Sequence, residues 1–502
     1  METEGEGVTV NEHDAVQARA RSTPIVGWYG DDFTGASDTL ATLAQAGLRA
    51  MLFLGVPTAD QLASAGPLDG IGIAGATRAM SPDHIRAELE PVGAFFAKVG
   101  PPILHYKVCS TFDSSRTTGN IVAAIQTLLP HVDNAFVPIV GGQPNLGRYC
   151  AFSNLFARAG ALGDTFRIDR HPTMSRHPVT PMGEADLRLH LSLQGGLNVA
   201  AIHYPRYTQD EAALDHYVDG LLQDAMEPAP SAAGAAVIAP APSDRRPPAT
   251  AVLLDVADAS HLAHVGRLIW QRAAKQRLLA VGPSSVVQAV LAFLAPRAER
   301  HEPNARCPAP GASRTDADGG AAPAPLLDSL GPAQGPVFVF AGSLSPVTLR
   351  QIEAASSYRR MALDAQRLMQ DDGYRLHMLE TVAASLGAGV HTLVYTNTAG
   401  EGGIDTREAG RVATLSADFV AQVVSRMGRG RTPLRRVGIA GGDTSSQVTQ
   451  SLGLWALSYQ CTLSAGVTVC RTHSADPSRH DIELMLKGGQ VGDTELFNRF
   501  AM

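Results

Sequence analysis

"PIVGWYGDDFTGASDTL", residues 24–40, joins an apolar run to a helical pattern through two adjacent carboxylates and a Thr-Gly-Ala turn. The run 24–30 reads as a buried strand, and 34–47 as a helix with Leu40, Leu43 and Gly47 on one face. A strand that hands over directly to a helix opens a β-α-β unit. Asp31 and Asp32 stand at the handover, where two like charges repel. One of them can cap the helix, stabilising it by about 1 kcal/mol. The other then faces the cleft, free to meet a substrate hydroxyl as partner or base. A third reading joins both carboxylates around Mg²⁺, which prefers oxygen ligands and bridges to phosphates.

The same alternation continues outward. Strand patterns occur at 50–55, 70–78, 103–110, 135–141, 198–204 and 251–257, and Ser81-Pro82 opens a helix over 81–98. A second series begins at "PVFVFAGS" (336–343), continues through 391–397 and 435–442, and ends in close-set strand candidates at 455–463, 467–472 and 481–487. That ending predicts some antiparallel sheet. The fold class is therefore α/β: two α/β domains with mainly parallel sheets. The expected division is a tail at 1–22, a first domain at 23–295, a Pro/Ala-rich linker or insertion at 296–335, and a second domain at 336–502. A smaller Pro/Ala-rich break spans 227–249.

The chain has 502 residues, 45% hydrophobic and 18% charged, with a formal charge of −7, so it offers no basic field for nucleic acid. It contains no apolar stretch of membrane-helix length and no secretory h-region. Its five cysteines are scattered and form no C-x-x-C pair, which argues against a disulfide framework and a structural zinc site. A cytoplasmic location is expected. Only four lysines occur, and Lys107 and Lys487 both fall inside motifs.

"GIAGGDTSSQVTQSLG" (438–453) runs a strand through Gly441-Gly442 into Asp443, Thr444 and Ser445, then a helical pattern. Glycines at such a turn let backbone N–H groups approach an anion at the positive end of the helix. An ordinary capped turn uses the same residues. "VFAGSLSPVTLRQIEAA" (339–355) places Ser343 and Ser345 after a strand ending at Gly342, and "LMLKGGQVGD" (484–493) ends in Lys487-Gly488-Gly489. Each is weak alone. Three glycine-containing strand ends on one sheet edge are stronger, because open α/β sheets bind ligands at the carboxyl ends of their strands. No P-loop motif and no G-x-G-x-x-G after the first strand is found.

"HYKVCSTFDSSRTTGN" (105–120) gathers Lys107, Ser110, Thr111, Asp113, Ser114, Arg116 and Asn120 behind a strand. Such density suits a small polyhydroxylated anion, with a cation on its carboxylate. A solvated Ser/Thr loop fits equally. "RIDRHPTMSRHPVTPM" (167–182) offers Arg170, Arg176 or a histidine for anion recognition, or a proline-stiffened loop. Thr77 and Arg78 follow another strand.

In this order the segments resemble the four-carbon acid sugar kinase family. "YGDDFTGASD" is similar to its N-terminal D-D-x-T-G-A signature and "YKVCSTFDSSRTTGN" to its K-x-x-S-T-x-x-S segment, while "AGSLSPVT", "GIAGGDTSS" and "LKGGQVG" resemble its three nucleotide-binding segments. The resemblance implies a sugar-acid-binding domain, a nucleotide-binding domain, the active site in the interdomain cleft, and ATP-dependent phosphorylation of the terminal hydroxyl of a threonate, erythronate or 3-oxo-tetronate, with Mg²⁺. It implies ATP contacts at Ser343, Ser345, Gly441, Gly442, Asp443, Thr444, Gly488 and Gly489. Catalytic roles fall to Asp32 or Asp31 as base and to Lys107. Substrate contacts carried over from the family are Asp31, Asp32, Arg78, Lys107, Ser110 and Asp113, with Lys107 and Arg78 on the substrate carboxylate; Thr34, Gly35, Thr111 and Arg176 are added as further candidate contacts. Many members read K-x-D-S-T-L-R-G-N where this chain has Cys109 and Asp113. That form is similar to the 3-oxo-tetronate branch, and an apionate-derived 3-oxo acid is the alternative. A sensor binding both ligands without transfer, and an NAD-dependent dehydrogenase, are the competing classes. The expected partners are the acid sugar and ATP, with no nucleic acid or membrane. A homodimer is compatible with the sequence.

Overall fold

The computed structural model describes residues 23–160, 163–177, 179–195, 197–224, 250–295, 330–342, 345–397, 406–430, 433–489 and 491–502. The expected tail, the 227–249 break and most of the 296–335 linker lie outside the described residues.

Among the described residues fifteen strands form one continuous sheet. Its order is Arg359–Asp364, Thr392–Asn397, Val337–Ala341, Arg436–Ala440, Glu483–Lys487, Val467–Ser474, Leu454–Ser464, Ala50–Phe53, Gly70–Ala74, Val26–Gly30, Ile103–Lys107, Leu278–Gly282, Phe136–Gly141, Thr250–Asp255 and Val199–Ile202. Most strand pairs within each half are parallel, and most strands are buried on both faces, which explains their unbroken apolar runs. The antiparallel section is confined to the C-terminal hairpins and the seam. There Leu454–Ser464 pairs with Ala50–Phe53, setting Ala456 opposite Phe53. The two α/β halves thus share backbone hydrogen bonds across the seam.

Helix Phe33–Gln45 packs on strands of both halves and against helix Gly442–Ser451. It is shorter than the expected 34–47: Leu40 and Leu43 are buried, while Gly47 lies in the exposed turn beyond it. A second, three-stranded antiparallel sheet (Arg148–Ala151, Asn154–Arg158, Thr165–Arg167) is inserted after Phe136–Gly141. It is tied down at its first hairpin, where Cys150 N donates to Val256 O (2.9 Å). Among the described residues no helix is long and apolar enough to cross a membrane.

Candidate active site

Sheet register assembles the first half of the site. Gly30 stands opposite both Ala74 and Lys107, and Lys107 stands opposite Gly282. The residues that follow these positions therefore emerge together: Asp31-Asp32, the turn Thr77–Ala79, and the segment after Lys107. Asp32 caps helix Phe33–Gln45, its Oδ1 accepting from Gly35 N at 2.8 Å. Arg78 answers the repulsion of the pair. Its Nε and Nη2 donate to the two oxygens of Asp31 (3.2 and 2.8 Å), and its Nη1 donates to Asp32 Oδ2 (2.8 Å). Three of the five guanidinium N–H donors are thereby committed. The paired carboxylates close on an arginine, not on an open cation site.

Asp31 is the more enclosed of the two. Its N–H donates to Lys107 O and its carbonyl accepts from Arg78 N, at 2.9 and 3.1 Å. Burial raises its pKa, Asp32 adds to the rise, and Arg78 and Lys107 oppose it. Lys107 is buried beside Gly35, where a Cβ would overlap both its Nζ and Asp32 Oδ1. Only glycine lets the ammonium approach the helix start.

The turn after Lys107 is tightly built. Cys109 Sγ lies 3.0 Å from Thr111 Oγ1, which donates to Asp113 Oδ1. Phe112 occupies the left-handed region at φ 54°. Ser114 Oγ holds it there by donating to Phe112 O (2.8 Å), and accepts from Gln194 Nε2 (2.7 Å) on helix Leu187–Gly195. Burial would raise the pKa of Asp113, but Arg78 and the Thr111 hydroxyl hold it below the ordinary value. Burial and the Asp113 charge push the Cys109 thiol up to about 11. Ser110 and Thr111 are buried in the same turn. Ser114 and Asn120, which the sequence offered for ligand contact, are structural: Asn120 caps helix Ile121–Leu128. Arg116 and Arg176 stand exposed. The residue of the 174–177 turn within electrostatic reach of Asp113 is His177.

Two groups near this turn were not singled out from the sequence. Arg148 opens the small sheet and lies within electrostatic reach of Cys109, Asp113 and Arg158. Gln143 Nε2 donates to Asp38 Oδ2 (3.0 Å) and ties the same hairpin to helix Phe33–Gln45. The only sequence signal for Arg148 was its place in "NLGRYCAF", which carries no recognisable spacing.

Register also builds the second half. Ala440 stands opposite Ala341 and Lys487, so Gly342, Gly441 and Gly488 follow on one edge. Gly441, at φ 126°, turns the strand into helix Gly442–Ser451, whose start has no side-chain cap. Thr444 is buried, and a Cβ on Gly342 would overlap its side chain. Ser345 caps helix Pro346–Ala354, accepting from Thr348 N at 3.2 Å, and its hydroxyl donates to Gly489 O. Lys487 is buried, its Nζ donating to Thr348 Oγ1 and Gly488 O at 2.9 Å each. These bonds fasten the Gly488-Gly489 loop. Ser343 lies outside the described residues, as does the Asp443 side chain.

The halves meet at the helix starts. Asp32 Oδ2 is 4.0 Å from where a Cβ on Gly442 would stand, and Thr34 Cγ2 is 4.0 Å from the same position on Gly488. Residues 26–290 match the family described as a sugar-binding N-terminal domain, and residues 338–497 the nucleotide-binding C-terminal domain. The chain belongs to the four-carbon acid sugar kinase family. It is similar to a 3-oxo-isoapionate kinase of Paraburkholderia graminis, at 35% identity over 94% of this chain and 93% of that one. It is also similar to a 3-oxo-tetronate kinase of Methylobacterium radiotolerans, at 28% identity over 94% and 98%. A solved structure from Salmonella typhimurium LT2 shares the fold, with a TM-score of 0.68 and 21% identity over 94% of this chain and 98% of that one.

In the acid sugar kinase fold some polar groups on the two facing helices are left without a partner. Thr34 Oγ1 and Ser445 Oγ are buried without a hydrogen-bond partner, and the helix start at Gly441-Gly442 presents uncapped N–H groups. Among the described residues no group of three or more potential metal ligands occurs.

Proposed function

We propose that this kinase transfers the terminal phosphoryl group of ATP to the primary hydroxyl of an apionate-derived 3-oxo acid. The observation that carries the reading is the junction itself. A carboxylate at one helix start faces the glycine start of a second helix, and a buried lysine lies beside the carboxylate. Phosphates would lie on the N–H groups at Gly441-Gly442 and along Gly488-Gly489. The acceptor hydroxyl would lie on Asp32, with Lys107 offsetting charge on the transferred group. The hydroxyl oxygen forms the new bond to phosphorus, the bond to ADP breaks, and Asp32 takes the released proton. Mg²⁺ would enter with ATP, held chiefly through phosphate oxygens, and would supply charge neutralisation. The higher identity to the isoapionate kinase than to the tetronate kinase ranks the apionate-derived acid first.

The test is ATP-Mg²⁺-dependent ADP release, coupled to a spectroscopic readout, across 3-oxo-isoapionate, 3-oxo-tetronates, threonate and erythronate. The highest kcat/KM is expected on 3-oxo-isoapionate. A preference for a straight-chain acid moves the substrate assignment, and nucleotide binding with no release on any acid rejects transfer.

Lys487 adds a pH dependence. Among the described residues it forms no ion pair, and burial pulls its pKa down to about 7. Between that value and the ordinary lysine value of about 10.4, the unfolded chain binds more protons than the folded one. The cost of burying the ammonium is therefore full below pH about 7 and is relieved as the pH rises. Phosphates nearby favour the charged form, so ATP binding at pH about 8 should take up as much as one proton. Calorimetry in two buffers of different ionisation enthalpy reads this uptake. It should vanish in Lys487→Met, and buffer-independent heats in the wild type would remove the lysine from the phosphate site.

A further inference from the structure

Arg78 and Lys107 are the cations that sequence reasoning set on the substrate carboxylate, and the geometry commits Arg78 to the protein's own carboxylates. Arg78 is bound to Asp31 and Asp32, while Lys107 lies beside Gly35 at the start of helix Phe33–Gln45, where its charge acts on Asp31 and on the transfer end of the site. A substrate acid needs a cation that no protein carboxylate already holds. Arg148 fits that description. Its backbone is fixed by reciprocal bonds with Gln143, from Gln143 N to Arg148 O (2.8 Å) and from Arg148 N to Gln143 O (3.2 Å). Its Nη1 donates to Leu146 O, while its Nε is buried with no partner. Among the described residues no carboxylate forms an ion pair with it. Asp113 and Cys109 are within electrostatic reach, and Arg158 adds a second positive charge on that side.

A guanidinium with a buried, unmatched donor is expensive unless an anion completes it. Here the guanidinium lies within electrostatic reach of the Cys109–Asp113 turn, and its partner Leu146 packs near Gly466 of the second half. Burial also holds the pKa of Arg148 below its ordinary value, as expected of a cation without a matched carboxylate. We infer that Arg148 receives the carboxylate of the acid sugar and so sets the requirement for an acid. His177 and the Thr111–Asp113 pair would line the polyol beside it. This inference rests on the acid-sugar reading given above, and it makes Arg148 a specificity residue that touches substrate without acting on the reacting hydroxyl.

The test is calorimetric titration of wild type, Arg148→Gln and Arg148→Lys. The probes are 3-oxo-isoapionate, threonate, the uncharged carboxamide of threonate, and ATP-Mg²⁺. If Arg148 holds the carboxylate, Arg148→Gln weakens acid binding about 100-fold, as expected for loss of a charge-assisted pair. Arg148→Lys then recovers part of the loss, carboxamide binding changes less than about threefold, and ATP binding is retained. In turnover the loss falls on KM more than on kcat. Unchanged acid affinity in Arg148→Gln, or equal loss for acid and carboxamide with ATP binding intact, overturns the assignment. Loss of ATP binding as well would mark a folding role, and it overturns the assignment if Arg148→Lys shows the same loss. Acid binding that depends on Arg148 without any ADP release leaves this inference standing and rejects the transfer reaction instead.

Discussion

Arg78→Leu is expected to lose about 3–5 kcal/mol of folding stability, because it leaves buried carboxylates without their cation. Asp31, Asp32 and Asp113 all depend on this one guanidinium, the first two by direct hydrogen bonds and the third through space. The backbone bond from Arg78 N to Asp31 O keeps the turn in place, so leucine would not relax the carboxylates apart. Thermal or urea unfolding of both proteins reads the loss, with Arg86→Leu as the control. The Arg86–Asp83 pair is exposed on a helix, and its removal should fall within about 0.5 kcal/mol of wild type. The penalty should also shrink on acidification. Asp113 has a depressed folded pKa, so its contribution in the wild type is present above the unfolded value of about 3.9 and is lost as the pH falls through the folded one. Asp31, raised chiefly by burial, carries the opposite sign: protonation relieves it first, and more so without Arg78. The gap between the two proteins should therefore narrow from pH 7 toward pH 4. A deficit equal to that of Arg86→Leu, or one independent of pH, would mean that solvent compensates these carboxylates.

The same arginine shows where the sequence was legible and where it was not. Apolar runs such as 103–107 and 337–341 announced buried strands because both faces of those strands are covered. The cap at Asp32 was readable because capping is local, its acceptor three residues from its donor. The partner of that carboxylate sits 46 residues away, brought in by parallel register between strands. No local pattern encodes such a pairing. The seam between the halves was hidden for the same reason: Ala456 meets Phe53 across some four hundred residues of chain. The strands of the small sheet were missed because "RYCA" and "NLFAR" are short and half-exposed, with charged or polar ends, so they lack the unbroken apolar signal. Arg148 went unread with them. Residues committed to loop architecture, such as Ser114 and Asn120, look in sequence just like residues aimed at a ligand.

Asp32→Asn should lower kcat by about 10²–10⁴-fold, the range associated with a positioned general base, while leaving the fold and ATP affinity near wild type. Asparagine is as good an N-cap as aspartate, so the bond from Gly35 N is retained. Its amide oxygen can serve only one of the two roles that Oδ1 and Oδ2 now share, and it cannot take the hydroxyl proton. Asp31→Asn should behave differently. Asp31 has both oxygens on Arg78 and its side chain is 6% exposed, against 12% for Asp32. Both its oxygens are on the guanidinium, while Asp32 Oδ2, which shares Arg78 Nη1, also lies 4.0 Å from where a Cβ on Gly442 would stand across the junction. Loss of its charge should therefore appear mainly as altered stability and looser placement of Arg78, with a fall in kcat of about tenfold or less. Pre-steady-state quench of bound substrate and ATP separates the chemical step from product release in both variants. A slow chemical step in Asp32→Asn with a near-normal one in Asp31→Asn assigns the acceptor hydroxyl to Asp32. The reverse order would place the reacting hydroxyl behind Arg78, where the present geometry leaves it no approach to the glycine turns.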